Sequence, residues 1–268
     1  MPKHKRQKGD SKAQHPRNAP YNKQGKASKA APAKQLAPTI PFSPADDRIL
    51  LVGEGDLSFA KSIVEHHGCY DVTATCFDSP EVLFEKYKPQ ADEHVKYLED
   101  EGQTVLFNVD ATKLNAHKKL SSSGRFDRIL FNFPHVGGKS KDVNRQVRFN
   151  QELLVKFFGA AAPLLADDGT IIVTLFDGEP YTLWNVRDLA RHSDLEVQRT
   201  FKFQAEAYPG YSHARTLGNI EGGGGWKGED RDAKSYVFQK KGKQVEAASK
   251  QRVGKKRNKD NFSDSDED

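Results

Sequence analysis

Seven consecutive residues, Gly53-Glu54-Gly55-Asp56-Leu57-Ser58-Phe59, put two glycines and two carboxylates directly after an apolar run. Glycines permit tight turns and close approach of a ligand to the backbone. A helix starting behind them offers free N–H groups. The first two glycines match the Gly-x-Gly-x-x-Gly pattern of dinucleotide sites, but Ser58 takes the third position. Glycine there would allow close helix–strand packing, so the loop suits a nucleoside cofactor without a pyrophosphate better than NAD. A plain turn that happens to hold two glycines is the other reading. Two further acids could complete a nucleoside site. Asp78 follows Gly55 by 23 residues, about where an acid grips ribose hydroxyls. Asp110 closes the next apolar run, where it would lie near an adenine. Both also fit as helix N-caps, with Ser79-Pro80 and Ala111-Thr112 after them.

A second constellation is Asn132-Phe133-Pro134-His135. It resembles the Asn/Asp-Pro-Pro-aromatic signature of amino-group methyltransferases, in which an amide oxygen and a backbone carbonyl accept hydrogen bonds from the target nitrogen. Phe133 replaces the first proline and His135 replaces the aromatic. A ring imide, such as N3 of uracil, would fit that change. Its nitrogen carries a proton and is a poor nucleophile at neutral pH. His135 could take that proton, because histidine titrates near neutrality; a turn histidine without a role is the alternative. Asn132, Pro134 and His135 are therefore the candidate catalytic residues. The third segment, Tyr208-Pro209-Gly210-Tyr211-Ser212-His213-Ala214-Arg215-Thr216, offers Tyr208, Tyr211 and His213 for stacking on a base and Arg215 for phosphate. Phe133 would join them against the substrate. A Gly/Pro loop with scattered surface aromatics would look the same.

The elements that must position these residues follow from periodicity. Short apolar or β-branched runs at 48–52, 71–78, 104–110, 126–133 and 170–176 read as strands. Amphipathic helices are predicted over 57–67, 80–101, 143–166 and 181–193. In the long one, Phe149, Leu153, Leu154, Phe157, Phe158 and Leu164 recur at helical spacing. Two last strands, 195–203 and 234–239, read as a hairpin around a long Gly-rich loop. Such alternation predicts an α/β, Rossmann-like, doubly wound sheet. The two closing strands match the seven-stranded variant of S-adenosyl-L-methionine (SAM)-dependent methyltransferases. In open α/β sheets ligands sit outside the carboxyl ends of the strands, and all the motifs fall at strand ends. The expected cofactor residues are thus Gly53, Glu54, Gly55, Asp56, Ser58, Phe59, Asp78, Asp110 and Asn132, with SAM as the cofactor.

Charge is segregated along the 268 residues. Segment 1–41 is +9, 239–259 is +8 and 260–268 is −5, which leaves −7 between them in a chain of net +5. An acidic domain with basic arms points to a polyanionic partner, most often nucleic acid; solvated tails or nuclear-import signals are the alternatives. The arms, 1–44 and 242–268, hold too few large apolar residues to offset their ordering entropy and are expected to be disordered around a domain at 45–241. Cys69 and Cys76 make neither a disulfide framework nor a metal motif, and no metal is expected. No apolar run approaches the ~20 residues of a membrane helix, and the first residues lack the apolar core of a secretion signal.

With all three motifs in order, the chain resembles the fungal 25S ribosomal RNA uridine-N3-methyltransferases and their plant and animal relatives over about 45–240. The resemblance implies a Rossmann-like SAM enzyme that makes 3-methyluridine in large-subunit rRNA, acting on a pre-60S particle in the nucleolus of the nucleus, and expected as a monomer. An N6-adenine or protein-amine methyltransferase, or a non-catalytic rRNA-binding assembly factor on the same fold, are the competing readings.

Overall fold

The computed structural model describes residues 40–138, 140–216, 218–219 and 228–242. The segments expected to be disordered lie almost wholly outside these residues, as do the glycine run 222–225 and Trp226. All described residues belong to the compact unit Leu36–Asp268.

Seven strands form one sheet in the order β3-β2-β1-β4-β5-β7-β6. They are β1 (Ile49–Leu51), β2 (Val72–Thr75), β3 (Thr104–Leu106), β4 (Phe126–Asn132), β5 (Leu165–Phe176), β6 (Leu195–Lys202) and β7 (Ala233–Lys240). Strands β1 to β5 pair in parallel. Strand β7 runs antiparallel between β5 and β6. The helices are α1 (Ser58–His67), α2 (Pro80–Lys86), α3 (Gln90–Asp100), α4 (Lys118–Ser122), α5 (Val143–Ala161) and α6 (Val186–Arg191).

Strand side chains alternate between two faces, so two cores form. Leu50, Ile129, Ile171 and Val173 pack with Leu154, Phe157 and Phe158 of α5 on one face. Ile49, Leu51, Leu130 and Ile172 pack with Ile63 of α1 and Leu98 of α3 on the other. Both faces are covered, which is why the central strands read as unbroken apolar runs.

Four expected boundaries differ. The helix predicted over 80–101 is two helices, broken at Tyr87–Pro89, because proline lacks the N–H and clashes with the preceding turn. The helix predicted to 166 ends at Ala161, a short 3-10 turn at Ala162–Leu164 contains Pro163, and β5 begins at Leu165. The helix predicted over 181–193 is a 3-10 turn, Tyr181–Trp184, then α6, separated by left-handed Asn185 (φ 50°). Finally, Ile40 was assigned to the basic arm, yet it is buried in the core and its N–H donates to Tyr208 Oη at 3.4 Å.

Candidate active site

The carboxyl ends of β1, β2, β3, β4 and β5 open into one cleft of about 870 Å³. Of the expected site residues, Gly53, Glu54, Gly55, Asp56, Ser58, Phe59, Asp78, Asp110, Asn132, Phe133, His135, Tyr211, His213 and Arg215 all line it. Pro134 and Tyr208 do not. Pro134 is buried outside the lining. Tyr208, expected to stack on a base, is only 2% exposed and packs between Phe59 (4.7 Å), His67 (5.2 Å) and Phe203 (5.5 Å). A tyrosine buries well when its hydroxyl finds a partner, here the Ile40 N–H. Its role is to anchor the segment that follows it.

The two glycines are required by packing within the protein. Gly53 has φ +67°, and a Cβ there would lie 2.6 Å from Phe131 Cε2. A Cβ on Gly55 would lie 2.8 Å from the Ala214 Cβ. The 211–216 segment therefore rests directly on the glycine loop. Ser58 explains the missing third glycine, since its Oγ donates to Ser212 O (3.0 Å) and accepts from Ser212 N (3.1 Å). Tyr87 Oη donates to Arg215 O at 2.7 Å. Asn219 N donates to Lys86 O at 2.8 Å. Four ties join residues far apart in the chain, and they make the third motif a wall of the cleft.

The carboxylates gather at the β1–β3 end. Asp56 is buried and accepts from Ser58 N at 3.0 Å. Burial pushes the Glu54 carboxyl up to about 8, and the Asp56 charge adds to this, while the Ala60 N–H opposes it. Burial of this kind favours the protonated carboxyl, and a cation placed beside it would restore the charged form. The Lys86 ammonium bridges both Asp78 oxygens at 2.9 and 2.8 Å. Asp110 caps the 3-10 turn at Ala111–Ala116, accepting from Thr112 N (2.8 Å) and Thr112 Oγ1 (2.7 Å). The cap reading of Asp110 is thus realised, although the residue still lines the cleft. The aromatic ring of Phe77 stands 71% exposed beside Asp78, a flat apolar surface on the same wall.

At the β4–β5 end Asn132 is the last residue of β4. Both polar atoms of its side chain are buried without a hydrogen-bond partner among the described residues. An unpaired buried amide costs about 1–3 kcal/mol, so this group is poised for a ligand. Phe133 has φ +50°, and its N–H donates to Thr174 O at 2.8 Å. Proline can supply neither that φ nor that N–H, which accounts for the departure from the proline-rich signature. The Phe133 ring meets Phe176 (4.5 Å) and His213 (4.4 Å).

His135 is arranged as a donor. Its Nδ1 accepts from Gly137 N at 2.9 Å, so in the neutral ring the proton sits on Nε2. Desolvation lowers its pKa, which favours the neutral ring. The proton acceptor expected at this position is therefore occupied by the backbone. Burial also holds His213 neutral, down to about 4.

Sequence reading missed Phe176, Tyr181 and Arg231, which also line the cleft. Phe176 ends β5, and the strand-end rule could have found it. Arg231 lies just ahead of β7, and no local pattern marked it.

The strand order, with β7 antiparallel and the cleft at the strand ends, defines the class of Rossmann-like methyltransferases. Within that class the chain belongs to the BMT5-like rRNA (uridine-N3-)-methyltransferase family, whose pattern it matches over residues 50–215. It is 33% identical over 279 residues to the 25S rRNA (uridine(2634)-N(3))-methyltransferase of Saccharomyces cerevisiae, a match covering 85% of this chain and 81% of that protein. It is 35% identical over 208 residues to ferredoxin-fold anticodon-binding domain-containing protein 1 homolog of Mus musculus, covering 71% of this chain and 30% of the longer protein. Heavy metal-associated isoprenylated plant protein 41 of Arabidopsis thaliana is 37% identical over 174 residues, covering 64% of this chain and 33% of that one.

Proposed function

We propose that this protein transfers a methyl group from SAM to N3 of a uridine in large-subunit ribosomal RNA. The observation that carries the reading is the partnerless Asn132 amide, lining the same cleft as the glycine loop and Asp78 in a chain of this family. The fit to SAM rests on Glu54 as well. A cationic sulfonium or ammonium beside Glu54 would offset the burial that favours its protonated form. Gly53, Glu54, Gly55, Asp56, Ser58 and Phe59 would hold the amino-acid part, Asp78 the ribose, and Asp110 and Phe77 the adenine side. Bound there, SAM supplies an electrophilic methyl.

On the target side Phe133, Tyr211 and His213 give the base its apolar and polar walls. The Asn132 amide and the His135 Nε2–H offer the hydrogen bonds that orient the imide edge. Pro134 stiffens the turn between them. Arg215 and the basic segments 1–41 and 239–259 attract phosphate without regard to sequence. Action on a pre-60S particle in the nucleolus, as a monomer, belongs to the same proposal.

The test is incubation of the full-length chain with unmodified large-subunit rRNA and methyl-labelled SAM, followed by nucleoside mass spectrometry. Label in 3-methyluridine is the expected result. Label only in N6-methyladenosine or in protein would replace this reading. SAM should also raise the melting temperature, as any ligand of the native state must.

A further inference from the structure

The reaction proposed above needs a uracil N3 stripped of its proton, and neither histidine of the cleft offers a simple base. His135 presents a donor, and Tyr211 Oη engages His213 Nδ1 at 3.0 Å. The β5 end of the cleft holds a different resource. The Arg231 guanidinium lies 4.0 Å from the Phe176 ring centroid and 5.6 Å from that of Tyr181. The Phe176 ring in turn lies 4.5 Å from Phe133, the residue after Asn132. A continuous aromatic shelf thus runs from the target turn to a cation.

No carboxylate pairs with that cation among the described residues. The acids around it are otherwise engaged. Asp177 bonds Lys234 at 2.7 Å and Asp232 bonds Lys202 at 2.6 Å. Glu229 accepts from the His213 backbone N–H. The remaining titratable groups in contact with this corner are His213 and Tyr181. Among the described residues no carboxylate occupies the guanidinium hydrogen-bond donors, and stacking on the rings limits their freedom.

We infer that Arg231 activates the target base, donating hydrogen bonds to an imide carbonyl oxygen so that uracil ionises at N3 while bound. The N3–H bond breaks and its proton passes to water. The electron pair left on the ring spreads over N3 and the two flanking carbonyl oxygens, one of which the guanidinium stabilises. N3 then forms the bond to the methyl carbon as the carbon–sulfur bond breaks, and sulfur keeps that pair as a neutral thioether. An opposite charge close by favours the ionised form of an acid. A donor aimed at a developing oxyanion is the usual form such assistance takes. The inference rests on the proposed uridine-N3 activity and supplies the group that activates the nucleophile.

The test reads ionisation directly, without SAM. An rRNA fragment carrying 5-fluorouridine at the methylated position reports N3 ionisation through its fluorine NMR shift. Bound to the full-length wild-type chain, the base should ionise about one pH unit or more below the free fragment, a tenfold rise in ionised fraction. Bound to Arg231→Gln it should ionise as the free fragment does, and Arg231→Lys should fall between. Calorimetric SAM affinity should be unchanged in both variants, which excludes a folding defect. With ordinary uridine, Arg231→Gln should lose on the order of 10²-fold in kcat near neutral pH. That loss should shrink as pH rises, and 5-fluorouridine should partly restore the rate. An unshifted fluorine titration in the wild type, or a shift that survives Arg231→Gln, overturns the role of Arg231 even if 3-methyluridine is formed. Absence of 3-methyluridine from the wild-type reaction overturns the functional reading beneath it, so the two failures are distinguishable.

Discussion

The β1–β3 end of the cleft and the β4–β5 end are built from opposite materials. The first presents four carboxylates, Glu54, Asp56, Asp78 and Asp110, with Lys86 bridging one of them. The second presents Phe133, Phe176 and Tyr181, the Asn132 amide and the Arg231 guanidinium. A cationic cofactor and a base that must become anionic want fields of opposite sign. Under the proposed function, placing the two sets of groups toward different ends of the cleft would serve both. The ends also differ in stability cost. The carboxylate end is internally hydrogen-bonded, whereas the amide end keeps a buried side chain unpaired.

Asn132→Ala should separate the two ends most sharply. Loss of a hydrogen-bonding group used in the transition state is expected to lower kcat on the order of 10²–10³-fold. The melting temperature should not fall, because the variant removes an amide whose burial without a partner costs about 1–3 kcal/mol. Methyl-transfer rates and thermal melts check this together, and retained activity with a lower melting temperature would refute it.

The next effect concerns the contact between the glycine loop and the 211–216 segment. Gly55→Ala puts a methyl 2.8 Å from the Ala214 Cβ, and overpacking of this kind costs about 1–3 kcal/mol. SAM affinity and stability should both drop, and Ala214→Gly added to it should restore both. A double variant no better than the single one would show that the contact does not couple the loops.

At the carboxylate end, Asp78→Ala should weaken SAM tenfold or more, since a charge-assisted hydrogen bond contributes about 1.5–3 kcal/mol. It also leaves Lys86 as an unpaired cation beside a cationic ligand. Asp110→Ala should cost about 1 kcal/mol of stability as a lost cap and change SAM affinity little. Titration calorimetry giving equal losses would break the ranking.

The last expected effect is in pH. Glu54 has a folded pKa of about 8 against 4.5 when unfolded. The folded state holds the proton more tightly, so this group's stability contribution is present below about 4.5 and is lost as pH rises through 8. A bound cation reverses the preference. SAM affinity should climb with pH, by at most about tenfold per unit, and level off above 8. The SAM amine titrates in the same range, so the quantity to measure is the difference between wild type and Glu54→Gln. A difference that does not change between pH 6 and 9 would remove Glu54 from the account.

The residues of the carboxylate end were legible because they follow one another along the chain. In a parallel sheet each strand–helix unit delivers its own strand end to the same edge, so a motif's place in the unit predicts its place in space. Gly53, Asp78 and Asp110 could be placed from order alone. Tyr208 was misplaced because an aromatic beside Pro209 and Gly210 has the same signature in a surface loop as in an anchor. Burial depends on α1 and on Ile40, which lie far away in sequence. The hydrogen bond that occupies His135 Nδ1 was illegible for a similar reason, since it depends on the path of the chain at Gly137.

From its own order of residues this chain determined a seven-stranded α/β sheet, a glycine loop at the end of β1 and an amide at the end of β4. Hydrophobic periodicity and the geometry of parallel strands are local rules, and they suffice for that. Only the tertiary structure decided that the 211–216 segment lies on the glycine loop, that Phe133 takes a φ closed to proline, and that Arg231 reaches the aromatic shelf beside Asn132. Those are contacts between residues up to about a hundred and fifty positions apart. They arise from how two covered sheet faces and a returning antiparallel strand close on one another, which no window of sequence contains.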